Sequence, residues 1–369
     1  MASSFRCQAV PTPPDPSRIV VDPERDRRFM AAALSLGWRN QGRAVPNPSV
    51  GAIIVREGEM PVVVGRGLTA PGGRPHGEAL ALLDAGEAAR GATAYVTLEP
   101  CAHHGRAGPC CEALVQAGVA RVVTAMEDPD HRVAGKGHAH LRAHGIAVTV
   151  GVMEAEARRA HAGHIARILH RRPHLVLKLA VSADGAIGRT GDGQVSISGP
   201  ESLAYAHAMR AESDAILIGI GTALADDPRL TCRLPGMESR SPIRVVVDPD
   251  ARLPLSSQIA RTAQTFPVIC FVAPDAPDDR VRALRDAFVD VRVANRRGGR
   301  IDFDDLLVQL GTIGIGRLMV EGGARIARGL VERDLVDEFH LVTSPVIIAR
   351  AGLPPLPAST LAKRPGISR

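Results

Sequence analysis

Residues 99–114 read EPCAHHGRAGPCCEAL, which places three cysteines and two histidines in one short stretch of a chain that has six cysteines in all. About one strand–helix unit earlier stands Pro75-His76-Gly77-Glu78, at the start of a predicted helix. One imidazole and two thiolates make a donor set for Zn²⁺ that leaves the fourth tetrahedral position to water. The metal lowers the pKa of such a water towards neutrality. A nearby glutamate that is not itself a ligand is then suited to move protons.

The order His-x-Glu, then Pro-Cys, then a second Cys resembles the signature of the zinc nucleobase deaminases, in which the glutamate serves the ring nitrogen and the departing amine. Pro100-Cys101 matches its first half, but Cys101 and Cys110 stand nine apart rather than three. The insert AHHGRAGP delays the second thiolate to Pro109-Cys110, where a helix is expected to begin. Proline suits a first helical turn, and the helix dipole there favours a thiolate. On this reading His76, Cys101 and Cys110 hold zinc and Glu78 is catalytic; structural thiols are the plainer alternative. Cys111 is expected to face the helix interior as a small hydrophobe. His103 or His104 is chemically able to replace a thiolate but is not expected to. The histidines at 131, 138, 140, 144, 161, 164 and 170 are expected at the surface.

These residues need elements to position them. DRRFMAAALSLGW sets Phe29, Ala33 and Leu36 at helical spacing. GAIIV and VVVG are β-type runs, a helix is predicted over 76–89, and the strand ATAYVTL leads directly into the cysteine cluster. Helix CCEALVQAGV, strand ARVVTAM, helix HAHLRAHG and strand IAVTVGV follow. This alternation predicts an α/β sandwich over a largely parallel sheet. MEAEARRAHAGHIARILHRRP reads as one charged connecting helix ending at Pro173. A second α/β run passes through HLVLKLAVSADG, SDAILIGIG, PIRVVVD, PVICFVA, DFDDLLVQL, RLMV and ARIARGLVE. Phe303, Leu306, Leu307 and Leu310 make one apolar helix face in it. The two halves do not repeat each other.

A chain of 369 residues favours two domains over one. The expected division is a disordered leader over 1–22, a first domain over 23–152, the connecting helix over 153–172 and a second domain over 173–369. The net charge of +6 suits anionic partners such as phosphates. No aromatic–basic interleaving of the kind that stacks bases is present, so no nucleic-acid partner is expected. No apolar window reaches membrane-spanning length, so no membrane is expected. The leader MASSFRCQAVPTPPDPSR lacks a signal-type apolar core. A cytoplasmic protein with reduced thiols follows, which favours metal over disulfide for clustered cysteines. A homo-oligomer is compatible with the sequence, which does not set its order.

TLEPCAHHGRAGPCCEAL, PNPSVGAIIV (46–55) and VAGKGHAHLRAHGIAV (133–148) resemble the deaminase domain of the bifunctional riboflavin-biosynthesis deaminase–reductases. KLAVSADGAIG, AILIGIGTALADDPRLTCR and VEGGARIARGL resemble their reductase domain, so the motifs run in the family's order from about residue 24 to 342. The resemblance implies an α/β fold: a cytidine-deaminase-like three-layer α/β/α domain, then a dihydrofolate-reductase-like α/β domain. It implies Zn²⁺ and NADPH as cofactors and a small phosphorylated pyrimidine as substrate. The implied chemistry is hydrolytic deamination of 2,5-diamino-6-ribosylamino-4(3H)-pyrimidinone 5′-phosphate, then reduction of the ribosyl side chain to ribityl. Asn47 becomes a substrate-binding amide, although a turn role between two prolines explains it as well. Arg106 becomes a contact to the ribose phosphate.

In the second half the resemblance places Ala180, Ser196, Thr222, Asp226 and the run Gly323, Ala324, Arg325, Ile326, Ala327, Arg328, Gly329 at nucleotide-contact positions. It places Gln194, Arg210, Leu230, Arg233 and Glu321 at substrate positions, the two arginines as clamps on a phosphate. Lys178 and Asp226 are the candidates for proton handling in the reduction. From the residues alone, Glu321-Gly322-Gly323 follows a strand and precedes a helix, which suits either a phosphate cradle or a tight turn. Three departures stand out. Ser196 replaces a frequent aromatic, Pro249 replaces a hydroxyl residue, and after PPLPAST the chain stops at LAKRPGISR without a closing β segment. They keep open a second reading, an active deaminase whose other half only binds or oligomerises. A nucleic-acid base deaminase is a third, disfavoured by the lack of a basic stripe.

Overall fold

The computed structural model describes residues 21–104, 108–186 and 199–348. The chain divides into two compact units: residues up to Asn40 with Asn47–His161, and Gln41–Pro46 with the residues from Ala162 onward. Among the described residues no helix is long and apolar enough to cross a membrane.

The first unit contains α1 (Pro23–Trp38), β1 (Gly51–Arg56), β2 (Val62–Leu68), α2 (Gly77–Ala85), β3 (Thr93–Val96), α3 (Cys110–Ala117), β4 (Arg121–Thr124), α4 (Lys136–Ala143), β5 (Ala147–Val150) and α5 (Glu154–Ala160). Helix α1 begins where the Asp22 side chain accepts from the amides of Glu24 and Arg25, with Pro23 in the first turn. Its buried face carries Phe29, Met30, Ala33 and Leu34. The five strands pair in the order β2-β1-β3-β4-β5. Pairings β1–β2 and β1–β3 are antiparallel, and β3–β4 and β4–β5 are parallel. The sheet is therefore mixed, not largely parallel. The short link from β1 to β2 permits only a hairpin, because parallel strands need a crossover of a dozen or more residues.

Helices cover both faces of this sheet. A Cβ at Gly51 would meet the Ala33 carbonyl of α1, whereas one at Gly67 would meet the Gly77 carbonyl of α2. Gly67 pairs with Ala52, the neighbour of Gly51, so the two glycines point to opposite faces. The three-layer α/β/α arrangement follows. It explains why β3 and β4 are buried at every position. A buried pair pins the layers: Arg121 of β4 donates to both carboxylate oxygens of Asp26 on α1, at 2.8 and 2.7 Å. The Tyr95 hydroxyl joins them at 2.9 Å.

The second unit contains α6 (Ala162–His170), β6 (His174–Val181), α7 (Pro200–Ala211), β7 (Ala215–Gly219), α8 (Ile220–Asp226), β8 (Ile243–Val247), α9 (Gln258–Arg261), β9 (Val268–Val272), α10 (Asp278–Asp286), β10 (Asp290–Val293), β11 (Arg296–Arg297), β12 (Arg300–Ile301), α11 (Phe303–Thr312), β13 (Arg317–Val320), α12 (Ala324–Glu332) and β14 (Glu338–Thr343). Seven strands form a sheet in the order β10-β9-β8-β7-β13-β6-β14, parallel at each pairing. Two cores sandwich it. Leu175, Leu177 and Leu217 pack with Leu306, Leu310 and Leu330 of α11 and α12. Val176, Ile216 and Ile218 pack with Met209, Ala223 and Leu284 of α7, α8 and α10.

Three local expectations change. The span 153–172 holds two helices, α5 and α6, which part at His161. The helix predicted over 76–89 is α2 followed by a 3-10 turn, Gly86–Ala89. His138 and His161 are buried, at 1% and 2% exposure. A hydroxyl accounts for each: Thr124 lies 2.9 Å from His138 Nε2, and Thr97 lies 3.1 Å from His161 Nε2.

Candidate active sites

Three segments of the first unit converge on the cysteine cluster. His76 immediately precedes α2, Cys101 follows the exit of β3, and Cys110 opens α3. Helix α2 can lie against β2 because Gly67 has no side chain: a Cβ there would stand 2.1 Å from the Gly77 carbonyl oxygen and 2.4 Å from the Ala81 nitrogen. The Nδ1 of His76 lies 3.3 Å from Cys110 Sγ and 3.7 Å from Cys101 Sγ. A tetrahedral zinc with bonds of about 2.3 Å to sulfur and about 2.05 Å to nitrogen sets those atoms about 3.6 Å apart. All three donor atoms lie within 4.8 Å of one another. The residues therefore fit zinc.

Electrostatics point the same way. Hydrogen bonding from Cys110 brings the Cys101 thiol down to about 4, with His76 assisting against the effect of burial. The same contact and its own burial push Cys110 far up. The Cys101 contact raises the pKa of His76. Glu78, in the first turn of α2, is 3% exposed, and among the described residues its Oε2 has no hydrogen-bond partner. Burial, then the Cys101 charge, pushes its carboxyl up to about 7. An unpaired buried carboxylate oxygen beside three metal donors marks a place for a molecule that exchanges protons.

The other predicted residues of this site fall as follows. Asn47 Nδ2 donates to the Gly73 carbonyl at 2.8 Å and lies 3.4 Å from His76 Nε2. Cys111 is 1% exposed, as expected of a small core hydrophobe. His104 is exposed and lies 3.3 Å from Glu112. Arg106 is outside the described residues. Glu99, which sequence reasoning passed over, is fully buried and accepts hydrogen bonds from four backbone amides.

In the second unit Lys178, Arg210 and Glu321 come together. Arg210 Nε and Nη2 donate to the two Glu321 oxygens at 2.7 Å each, and Nη1 donates to the Thr231 carbonyl at 3.2 Å. Arg210 is thus braced, whereas Arg233 is exposed, with Arg210 and Arg229 adding to its burial in lowering its pKa. Leu230 is buried with a positive φ of 57°. Burial lowers the pKa of Lys178, Glu321 opposes that, and Arg210 adds to it. Burial raises the pKa of Asp226 at the end of α8.

The Gly323 amide, just before α12, donates to Thr222 Oγ1 at 3.2 Å. A Cβ at Gly221, in the first turn of α8, would meet nothing within 4 Å, whereas one at Gly219, the last residue of β7, would meet the Ile326 side chain at 3.0 Å. Ala327 points into the core and Gly329 lies against the Phe303 ring, so the free end of α12 is its first turn. Ala180 lines a cavity of about 340 Å³ with Glu201, Ser202, Thr343 and Ser344. Glycines at a parallel-strand end followed by the N-terminus of a helix fit the phosphates of a dinucleotide. Gln194 and Ser196 lie outside the described residues.

Comparison with known proteins assigns both units. Residues 23–126 match the family described as cytidine and deoxycytidylate deaminase zinc-binding region, and residues 173–360 match the RibD C-terminal domain. The riboflavin biosynthesis protein RibD of Escherichia coli K12 is 38% identical over 341 residues, covering 88% of this chain and 89% of that protein. The chain belongs to the RibD family. A RibD structure from Acinetobacter baumannii superposes with a TM-score of 0.81 at 33% identity, covering 91% of each chain. The Thermotoga maritima diaminohydroxyphosphoribosylaminopyrimidine deaminase/5-amino-6-(5-phosphoribosylamino)uracil reductase superposes at 0.77 and 30% identity, covering 90% of this chain and 89% of that one. RibD joins a zinc-dependent deaminase to an NADPH-dependent reductase in one chain.

Proposed function

We propose that this RibD chain deaminates 2,5-diamino-6-ribosylamino-4(3H)-pyrimidinone 5′-phosphate and then reduces the ribosyl side chain of the product to ribityl. The observation that carries the first step is the convergence of His76, Cys101 and Cys110 with the buried, unpartnered Oε2 of Glu78. Zinc in that donor set supplies the Lewis acidity that makes water nucleophilic near neutral pH. Glu78 would take one proton from water as its oxygen bonds to the ring carbon and give it to the ring nitrogen; it would then take the second proton from that oxygen and give it to the amine, which leaves as ammonia as the C–N bond breaks and the C=O bond forms. Asn47, beside His76, offers its amide to the ring edge, and Arg106 serves the phosphate.

In the second step NADPH would supply the hydride for C1′ of the ring-opened imine, with a proton going to the imine nitrogen. Lys178, with Asp226 as the other candidate, delivers the proton. Arg233 offers an exposed guanidinium to the substrate phosphate, and Leu230 and Gln194 are further substrate contacts. Arg210 and Glu321 act as a braced pair that holds the substrate side of Lys178. Ala180, Ser196, Thr222 and the first turn of α12 from Gly323 receive the nucleotide. Among the described residues the five cysteines form no disulfide, which suits a cytoplasmic protein.

The test is a coupled assay on metal-quantified protein, following ammonia release and NADPH absorbance, with Glu78→Gln alongside. Ammonia followed by NADPH loss is expected, with both gone in the variant, because reduction awaits the deaminated product. Ammonia without NADPH loss would overturn the reductase half. NADPH oxidation before any ammonia would overturn the order.

A further inference from the structure

Helix α4 lacks a cap of its own. Its N-cap is Gly135, which has no side chain to offer the first-turn amides. Such amides have no partner within the helix and need one elsewhere. Glu99, two residues before Cys101, provides it from across the fold. Its Oε1 accepts from the amides of Gly137 at 2.9 Å and His138 at 3.2 Å. Its Oε2 accepts from Gly135 at 2.9 Å and Asp128 at 3.2 Å. Four converging amides make an anion-binding concavity, and here the chain's own carboxylate fills it at the end of α4 that favours negative charge.

The contact is tight on the other side too. A Cβ at Gly137 would stand 2.1 Å from the Pro100 carbonyl oxygen, so the first turn of α4 presses on the residue before Cys101. From α3, the Cys111 amide donates to the Cys101 carbonyl at 3.2 Å and the Cys110 amide to Cys101 Sγ at 3.3 Å. Cys101 is thus held by α3 on one side, while the peptide leading into it is held by α4. Glu99, Glu127 and His138 also bring potential metal donors within 4.8 Å of one another. Both Glu99 oxygens are already filled by amides; His138 Nε2 faces Thr124, and its Nδ1 lies 3.8 Å from Glu99 Oε1. This group is a cap, not a second metal centre.

We infer that Glu99 is a positioning residue of the deaminase site: through the amides of Asp128, Gly135, Gly137 and His138 it clamps α4 onto the Pro100–Cys101 peptide and so sets the place of the Cys101 thiolate. The inference rests on the zinc reading of His76, Cys101 and Cys110. Glu99→Gln turns an NH₂ group towards two of the four amides, setting donor against donor. Glu99→Asp keeps both oxygens on a shorter stem. Gly137→Ala strains the same contact with Glu99 intact.

The experiment uses the full chain loaded with Co²⁺, whose visible spectrum reports ligand geometry, and with Zn²⁺ for release to a chelator. Amide hydrogen exchange at residues 135–138 is followed in parallel. Partners outside the first coordination shell typically change metal affinity by about 10- to 100-fold. Glu99→Gln and Gly137→Ala are each expected to alter the cobalt spectrum and release zinc at least about tenfold faster, with Glu99→Asp in between. Reduction of the deaminated intermediate should stay at the parental rate and report folding. Parental spectra and release rates in both variants would overturn the clamp, even with a lowered melting temperature. A parent chain that takes up no cobalt would sink the zinc reading instead, and the exchange at residues 135–138 would still decide the clamp: faster exchange in Glu99→Gln supports it and parental exchange overturns it.

Discussion

The guanidinium of Arg210 on α7 holds both carboxylate oxygens of Glu321, at the end of β13, through hydrogen bonds of 2.7 Å each. The two side chains are 12% and 16% exposed. Burial alone would raise the pKa of Glu321, but Arg210, with Lys178 and His207 farther out, outweighs it and holds the carboxyl below its usual 4.5. Breaking a buried pair from one side costs about 3–5 kcal/mol, because the survivor is an uncompensated charge.

Arg210→Ala is therefore expected to lower denaturant stability at pH 7 by that order, while Arg210→Met with Glu321→Leu stays much closer to the parent. The pH dependence follows from the sign of the shift. A carboxyl with a depressed pKa contributes stability above its unfolded value and loses it as pH falls through the folded one. The gap between parent and Arg210→Ala should then narrow below about pH 4.5. Urea curves at both pH values measure this, and equal losses in the single and double variants would count against the pair.

Lys178 gives a second pH prediction. Burial, opposed by Glu321 and reinforced by Arg210, places its pKa below the ordinary 10.5. The proton-donating form disappears as pH rises through that lowered value. NADPH oxidation with the deaminated intermediate should fall on an alkaline limb below pH 10.5, and Glu321→Gln should move the limb to lower pH. Lys178→Met should reduce turnover by about 10²- to 10⁴-fold. A limb that stays in place in Glu321→Gln would separate Lys178 from proton delivery.

The candidate zinc donors were legible because their chemistry is carried by side-chain type and their placement by strand and helix ends. His76, Cys101 and Cys110 each sit at such an end. The second sheet was legible too, since VLKLAV, AILIG, RVVV and VICFV are the near-continuous apolar runs that a parallel sheet covered on both faces requires. Glu99 was not legible. Its partners are backbone amides 29 to 39 residues on, and an amide leaves no mark in a sequence. The buried histidines escaped for a related reason: one hydroxyl, Thr124 at the end of β4 or Thr97 just past β3, decides whether a histidine can leave water. Arg210 and Glu321 were both singled out for substrate, but their engagement with each other depends on a helix and a strand end 111 residues apart.

Gly67 tests whether close helix–sheet contact sets the deaminase site. A methyl group there would meet backbone atoms of Gly77 and Ala81, which cannot yield as a flexible side chain would. Helix α2 must shift, carrying His76 and Glu78 with it. Gly67→Ala is expected to cost about 1–3 kcal/mol, as overpacking usually does, and to depress ammonia release far more than NADPH oxidation on the deaminated intermediate. Equal losses in the two activities would mean that the shift is not local to α2.

Metal removal separates the two chemistries in one chain. The donors of the zinc site all belong to the first unit, and the Lys178, Arg210 and Glu321 group belongs to the second. Stripping zinc with a strong chelator is expected to abolish ammonia release, leave reduction of added intermediate intact, and return the first activity when zinc is restored. Thiol labelling offers an independent readout. Cys101 is partly exposed and should react soon after the metal leaves, whereas Cys111, Cys232 and Cys270 are buried and should stay slow. Ammonia release that survives in chain shown to be metal-free would remove zinc from the first reaction, and a parallel loss of reduction would make the metal a support of the whole chain.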